Sequence, residues 1–326
     1  MPLQVPPLPP PVAPCSVQPG GGWCMSVELA WGCLRRNVLR RFRPRYVEAM
    51  LEKRQGECPN CPHNIIDPRD LKFFRNVCGY WFRPEDDRFQ WRGRLGFARA
   101  GLAELVIFSV ILWALTALLA AGAVFLHWTF WIGCAATIAT WLEIVWFFRD
   151  PERTIPGDPQ ALVSPADGTV THVEEVDDPD FPGGRALRIS IFLSIFNVHV
   201  NRLPRDGRVT ALRYFPGAFF DARHEQCAQR NEQFWIDLVE PSGRLIRIKQ
   251  ISGAIARRIV CCLRLGEEVR KGNRLGMIKF GSRTDVLVAA DRGAEVFAKV
   301  GDVVYGGETV LMRLPASGKQ AGDNSR

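Results

Sequence analysis

From Leu102 to Phe147 the chain is almost continuously apolar. A membrane-spanning helix needs about 20 apolar residues, so the run is too long for one span and right for two. The turn between them is expected at Gly122 to Trp128. Glu104 and Glu143 fall near the outer ends of the two spans, where an interface can solvate them. Trp128, Trp131, Trp141 and Trp146 fit an interfacial aromatic belt. Arg92, Arg94 and Arg99 precede the pair, and Arg149 and Arg153 follow it. Basic flanks on both sides predict a tight hairpin with both ends on the cytoplasmic side.

After Pro156 the pattern changes to short β-branched runs separated by Gly, Pro, Asp and Asn. Gly168–Val173, Leu187–Leu193, Arg208–Tyr214, Phe234–Leu238, Leu245–Ile251 and Val286–Ala289 read as strands of a β-rich domain. Ahead of the apolar run, residues 25–55 read as helical and basic, with Arg35, Arg36, Arg40, Arg41, Arg43 and Arg45 clustered. Residues 1–22 are rich in Pro and Gly and are expected to be disordered, as is the tail 316–326. The chain thus divides at 1–22, 23–100, 101–148, 149–315 and 316–326.

Composition narrows the partners. The formal net charge is +8 over 326 residues. Such a balance suits nucleic acid or an anionic membrane surface. Aromatic residues are not interleaved with Lys and Arg as in nucleic-acid modules, so no nucleic-acid partner is expected and membrane lipid is favoured. Ten cysteines in a chain this long and apolar do not make a small disulfide scaffold. Residues 1–14 lack the charged start and apolar stretch of a signal peptide, which predicts a cytoplasmic setting with reduced thiols.

Two late segments share a spacing. Gly266, Val269, Gly272 and Leu275 match Gly301, Val304, Gly307 and Val310 in a G-x-x-V-x-x-G-x-x-[LV] pattern. Such turns link strands in the β-hammerhead of biotinyl and lipoyl domains. Ser164 to Val170 resembles the opening strand of that fold. Continuing the pattern through Ile278 puts Ser282 where a carrier domain presents its reactive lysine, at a hairpin tip. Gly281 suits such a place, because glycine accepts positive φ and leaves its carbonyl open to attack. A Gly-Ser pair alone is most simply an ordinary turn.

The surroundings give the pair its weight. Phe147 to Arg153 just after the second span, Ser164 to Gly168, the stretch Phe192 to Arg202 with His199 and Asn201, Asn231-Glu232, and Phe280 to Arg283 followed by Asp285 occur in one order. In that order, behind an apolar hairpin, they resemble the phosphatidylserine decarboxylase family in its short, membrane-hairpin (archaeal-type) branch. The likeness covers residues 147–290 and leaves residues 1–100 and the tail outside. It implies a two-helix transmembrane hairpin followed by a β-rich (α+β) catalytic domain with β-hammerhead-like elements.

It also implies a chemistry. The Ser282 hydroxyl attacks the Gly281 carbonyl, the peptide becomes an ester, and elimination leaves a pyruvoyl group at position 282. The resulting α and β chains stay associated, a homo-oligomer is compatible, and the substrate is a phospholipid in an anionic membrane. The place of action is the inner membrane, with the catalytic domain and N-terminus on the cytoplasmic side. A serine hydroxyl needs a base. On pattern alone His199, at the end of an apolar strand, is more simply structural, and Asp167, followed by Gly168, more simply a turn residue. The family likeness makes them the catalytic partners of Ser282. The longer bacterial branch carries two histidines three residues apart, the second assisting cleavage; His199 matches the first, which the likeness links to decarboxylation and protonation, and Arg202 stands where the second would be. Asp167 with His199 is therefore the expected activating pair. Arg202, Lys279 and Arg283 are expected to meet the substrate phosphate or carboxylate, or to be solvated surface charges. His224-Glu225 and Asn231-Glu232 read as a loop near the site or a surface helix.

Cys58 and Cys61 form a C-x-x-C pair with His63 nearby, and Cys33 and Cys78 are the further candidates for a zinc site. Unligated thiols are the simpler alternative. Cys261-Cys262 reads as core. Two other functions compete: a non-enzymatic, membrane-anchored β-hammerhead adaptor, and a pyruvoyl decarboxylase for another amino-acid head group.

Overall fold

A computed structural model describes residues 23–58, 63–74, 77–221, 226–254, 258–279, 281–290 and 293–315. The basic N-terminal stretch forms two helices, α1 (Trp23–Phe42) and α2 (Pro44–Lys53). They divide at Arg43 because Pro44 has no amide hydrogen and opens α2, where none is needed. The apolar run forms α3 (Leu102–Phe125) and α4 (Phe130–Phe147), both long and apolar enough to cross a membrane. Gly122, expected in the turn, remains helical. A β-carbon there would stand 3.2 Å from the Phe130 ring, so the glycine serves close helix packing. The Thr116 and Thr137 hydroxyls meet across the pair at 2.8 Å, and Trp141 Nε1–H donates to Ser109 Oγ at 3.0 Å.

The rest is β-rich. In chain order come β1 (Ala161–Val163), β2 (Gly168–Asp177), β3 (Arg185–Leu193), β4 (Val200–Arg202) and β5 (Gly207–Phe215). A short helix, α5 (Cys227–Arg230), leads to β6 (Gln233–Val239), β7 (Leu245–Ser252), β8 (Ile259–Cys261), β9 (Glu268–Val269) and β10 (Arg274–Ile278). β11 (Ser282–Ala289), β12 (Glu295–Val296), β13 (Val303–Val304) and β14 (Val310–Arg313) complete the chain. Eight of them form one antiparallel sheet in the order β13-β2-β3-β11-β7-β6-β5-β9. Two three-stranded sheets, β4-β10-β8 and β1-β14-β12, stand beside it. All six strands expected from the sequence lie in the large sheet, each longer than its β-branched run.

One face of that sheet carries the core: Ile189, Ile191, Ile236, Ile248 and Val286 are buried together. The other face is charged. Arg247 is fully buried there and donates to Asp237 at 2.7 Å, Asp178 at 2.8 Å and Asp180 at 2.6 Å. Removing one partner of a buried pair leaves uncompensated charge. Arg247→Met is expected to cost about 3–5 kcal/mol, read as a lower denaturant midpoint.

The two spacing repeats take the same local form. Each begins with a two-residue strand, β9 or β13, and turns at a glycine of positive φ, Gly272 (+80°) or Gly307 (+83°). The two glycines lie back to back, both against Ile155.

The zinc expectation at Cys58 and Cys61 finds no support. Cys61 lies outside the described residues. Cys58 and Cys78 belong to an apolar cluster with Ile65 and Leu71, and His63 stacks on Phe74 at 4.2 Å. Cys33 is exposed on α1. Among the described residues no group of His, Cys, Asp or Glu is placed to hold a metal ion.

Candidate active site at the Gly281–Ser282 junction

β10 and β11 are consecutive in sequence but pair with different neighbours, β10 with β4 and β8, β11 with β3 and β7. The junction is therefore a crossing between sheets and not the expected hairpin tip. The difference matters for Ser282, which is fully buried where a tip would expose it. Gly281 makes the crossing with φ +60°, and a β-carbon there would meet nothing within 4 Å. The backbone conformation alone asks for glycine. Gly281→Ala, in an uncleavable background, is expected to lose about 1–2 kcal/mol in thermal unfolding without any clash.

Ser282 opens β11 directly opposite Leu193 on β3 and Ser252 on β7. Its Oγ is buried without a hydrogen-bond partner. Such a hydroxyl costs about 1–3 kcal/mol. Buried groups left in this condition mark strain or chemistry.

His199 lies just ahead of β4, fully buried, its ring 4.4 Å from that of Phe147. Its Nδ1–H donates to the Asn197 carbonyl at 2.9 Å, since a carbonyl can only accept. Its Nε2 accepts the Gly281 N–H at 3.2 Å. Both contacts demand the same neutral tautomer. Burial pushes the pKa down to about 4, opposed by the Asn197 bond and assisted by the charge of Arg149. The imidazole lone pair is thus engaged by the backbone one residue ahead of Ser282. Asn197 is fixed in turn by Ser194, whose N–H and hydroxyl donate to Asn197 Oδ1 at 2.9 and 2.7 Å.

The segment Phe147–Arg153 clamps this site to the end of α4. Arg149 donates to the carbonyls of Trp146 and Phe196 at 2.8 and 2.9 Å. Asp150 pairs with Arg202 at 2.8 Å and with Arg274. Arg153 pairs with Asp167 at 2.7 Å.

Asp167 immediately precedes β2, whose Thr169 faces Phe192. Its other oxygen accepts the Gly306 N–H at 2.8 Å, so its bonds go to Arg153 and Gly306 and those of His199 go to Asn197 and Gly281. Burial raises its pKa, against the pull of Gly306 and Arg153. Arg149 lies in the field of both Asp167 and His199.

The three expected substrate cations are buried and engaged with protein carboxylates. Arg202 holds Asp150 and the carbonyls of Gly272 and Pro151. Arg283 points to the charged face of the sheet, on Asp285 at 2.7 Å and Ser190 at 2.7 Å. Lys279 pairs with Glu104 at the start of α3, and Arg258 stands 3.6 Å from the same carboxylate. Burial lowers the Lys279 pKa to about 8, with the charge of Arg258 adding to the effect.

Sequence reasoning gave Asn231-Glu232 little weight, and the fold changes that. Asn231 Nδ2 donates to the carbonyls of Phe220 and Ser252 at 2.8 and 2.7 Å, tying a loop to the end of β7. The Ser252 N–H and hydroxyl donate to the Glu232 carbonyl at 3.0 and 3.1 Å. Glu232 thereby extends the row Leu193–Ser282–Ser252 across the sheet. It is buried, Tyr214 bonds to its carboxyl, and Oε1 has no partner. Burial pushes its pKa up to about 7. Nothing in a polar stretch of sequence signals such burial. His224 and Glu225 lie outside the described residues.

The comparisons with known proteins bear on the same region. A sequence model of the family described as phosphatidylserine decarboxylase matches residues 143–312. A phosphatidylserine decarboxylase proenzyme of Rhodopirellula baltica is 42% identical over 245 residues, covering 74% of this chain and 98% of the relative. The proenzyme of Symbiobacterium thermophilum is 46% identical over 60% of this chain and 89% of its own length. That of Pelobacter propionicus is 50% identical over 52% and 76%.

Proposed function

The chain belongs to the phosphatidylserine decarboxylase family, and from that premise we propose that it cuts itself between Gly281 and Ser282 and decarboxylates phosphatidylserine to phosphatidylethanolamine. The observation that carries this reading is the buried, unpartnered Ser282 hydroxyl next in the chain to Gly281, whose N–H a neutral His199 accepts.

In the first stage His199 Nε2 exchanges the Gly281 N–H for the Ser282 hydroxyl and takes its proton, and Oγ adds to the Gly281 carbonyl carbon. The C–N bond breaks as the Ser282 nitrogen takes the proton back from His199, and an ester replaces the peptide. Loss of the Ser282 α-proton then expels the Gly281 carboxylate, and hydrolysis of the dehydrated residue releases ammonia. Gly281 becomes one terminus, and a pyruvoyl group heads the shorter chain. The residues fit a group formed there: the side chain that becomes it makes no bond that conversion would forfeit, and Gly281 leaves open space. Asp167 acts as a positioning residue by offsetting the charge of Arg149, which otherwise bears on His199.

When formed, the pyruvoyl ketone supplies the electron sink for loss of CO₂. The chain binds and orients the lipid around it. Lys279 is the cation best placed for the phosphate, because its pair with Glu104 lies at the start of α3, where a head group arrives. Arg202 and Arg283 hold the framework. The helices α3 and α4 span the inner membrane as a hairpin. The extension 23–100 and the catalytic domain 149–315, with its β-hammerhead-like repeats, lie on the cytoplasmic side. Membrane anchoring favours a lipid substrate over a soluble amino acid, and a buried serine at the crossing favours an enzyme over a carrier-like adaptor.

The test supplies purified full-length protein with phosphatidylserine in mixed vesicles and follows both lipids by mass spectrometry. Stoichiometric appearance of phosphatidylethanolamine is expected. A two-chain protein that leaves phosphatidylserine unchanged would assign the pyruvoyl chemistry to another head group.

A further inference from the structure

Helix α1 carries an exposed apolar stripe outside everything the proposed reaction uses. Val27 (46% exposed), Trp31 (63%), Leu34 (55%), Val38 (46%) and Phe42 (74%) follow one another at steps of three and four residues. That spacing keeps them on one side of a helix. The contacts of α1 come from other positions: Glu28 pairs with Lys72, and Arg35 and Arg36 with Asp70. Arg40, Arg41, Arg43 and Arg45 are exposed around the stripe's end. The helix touches α3. Its partner Lys72 lies close enough to influence Lys279, which holds Glu104 at the start of α3. The stripe therefore starts at the level where the apolar hairpin begins.

We propose that α1 lies in the head-group layer of an anionic bilayer, with Val27, Trp31, Leu34, Val38 and Phe42 at the acyl boundary and the arginines on lipid phosphates. Charge favours this occupant over a second copy of the chain. A two-fold contact through the stripe brings the arginine cluster of one copy toward that of the other, whereas an anionic surface neutralises it. The inference rests on the reading that the chain works at a phospholipid surface.

The test uses the full chain in nanodiscs, with an environment-sensitive fluorescent residue placed by codon reassignment at Leu34, at Glu48 on exposed α2, or at Leu142 in α4. Lipids carrying a spin label near the head group are expected to quench the Leu34 site several-fold. Quenching should be strong with anionic lipid and weaker with neutral lipid or after Arg40, Arg41, Arg43 and Arg45 are changed to Gln. The Glu48 site should stay unquenched. Quenching at Leu142 but not at Leu34 would overturn the α1 proposal while leaving the anchor intact. Protection at Leu34 that depends on protein concentration in detergent would assign the stripe to a second copy instead. Silence at both Leu34 and Leu142 would remove the membrane reading itself.

Discussion

Ser282→Ala leaves a single chain of 36.7 kDa where the wild-type protein yields two, one ending at Gly281 and one beginning with a pyruvoyl group. Intact-mass analysis of both, folded in lipid, reads the outcome directly. The expectation follows from what surrounds the hydroxyl. Ser282 sits on a central strand between Leu193 and Ser252, and its Oγ spends no energy on any neighbour. Deleting that oxygen removes an unsatisfied buried group, so the variant should be at least as stable as the unprocessed wild type. A loss of processing in a protein of undiminished melting temperature separates chemistry from folding. Two chains from Ser282→Ala, or one chain from the wild type under the same conditions, would end the proposed mechanism.

His199→Gln should slow self-cleavage by about 10²–10⁴-fold, the usual contribution of a positioned base. Glutamine can still accept the Gly281 N–H, so the junction keeps its shape while losing the lone pair that takes a proton. The pH dependence carries an independent signature. Burial lowers the His199 pKa to about 4, well under the ordinary histidine value, so the neutral form persists above it. Cleavage should be insensitive to His199 between about pH 6 and 8 and should fall as the pH approaches 4. The same shift has a stability consequence. A neutral form favoured by folding contributes stability above the unfolded value of about 6.5, and this is lost as pH falls toward the folded value. A cleavage rate that instead declines with a midpoint near 6.5 would show that the base is a solvated histidine and not the buried His199 described here.

Much of this was legible in the chain. Long β-branched runs such as Leu187–Leu193 and Leu245–Ile251 announced central strands, because residues buried on a sheet leave little choice of side chain. The continuous apolar run announced α3 and α4 for the same reason. The shared glycine spacing of the late segments proved real at Gly272 and Gly307, since positive φ leaves few alternatives. The errors arose where pairing decides the outcome. A strand that follows a turn is expected to fold back on its predecessor, and nothing in Lys279 to Ser282 says that β11 instead joins another sheet. Glu232 reads from the sequence as part of a loop near the site or a surface helix, because charge is read locally, while its burial, like that of Arg247, is set by strands far away in sequence. Asp167 and His199 are named by the family resemblance, but their bonds to Arg153, Gly306, Asn197 and Gly281 belong to the tertiary structure alone.

The position of β11 has a consequence for the life of the molecule. Once the junction opens, a strand bordered on both sides by strands of the longer chain is held by no covalent bond at its start. Unfolding then becomes dissociation of two polypeptides, and by mass action the melting point of the mature protein should rise with its concentration. Recovery after denaturation needs a bimolecular encounter that the newborn chain never faced. The precursor folds as one polymer, and the mature form keeps that architecture by kinetic persistence.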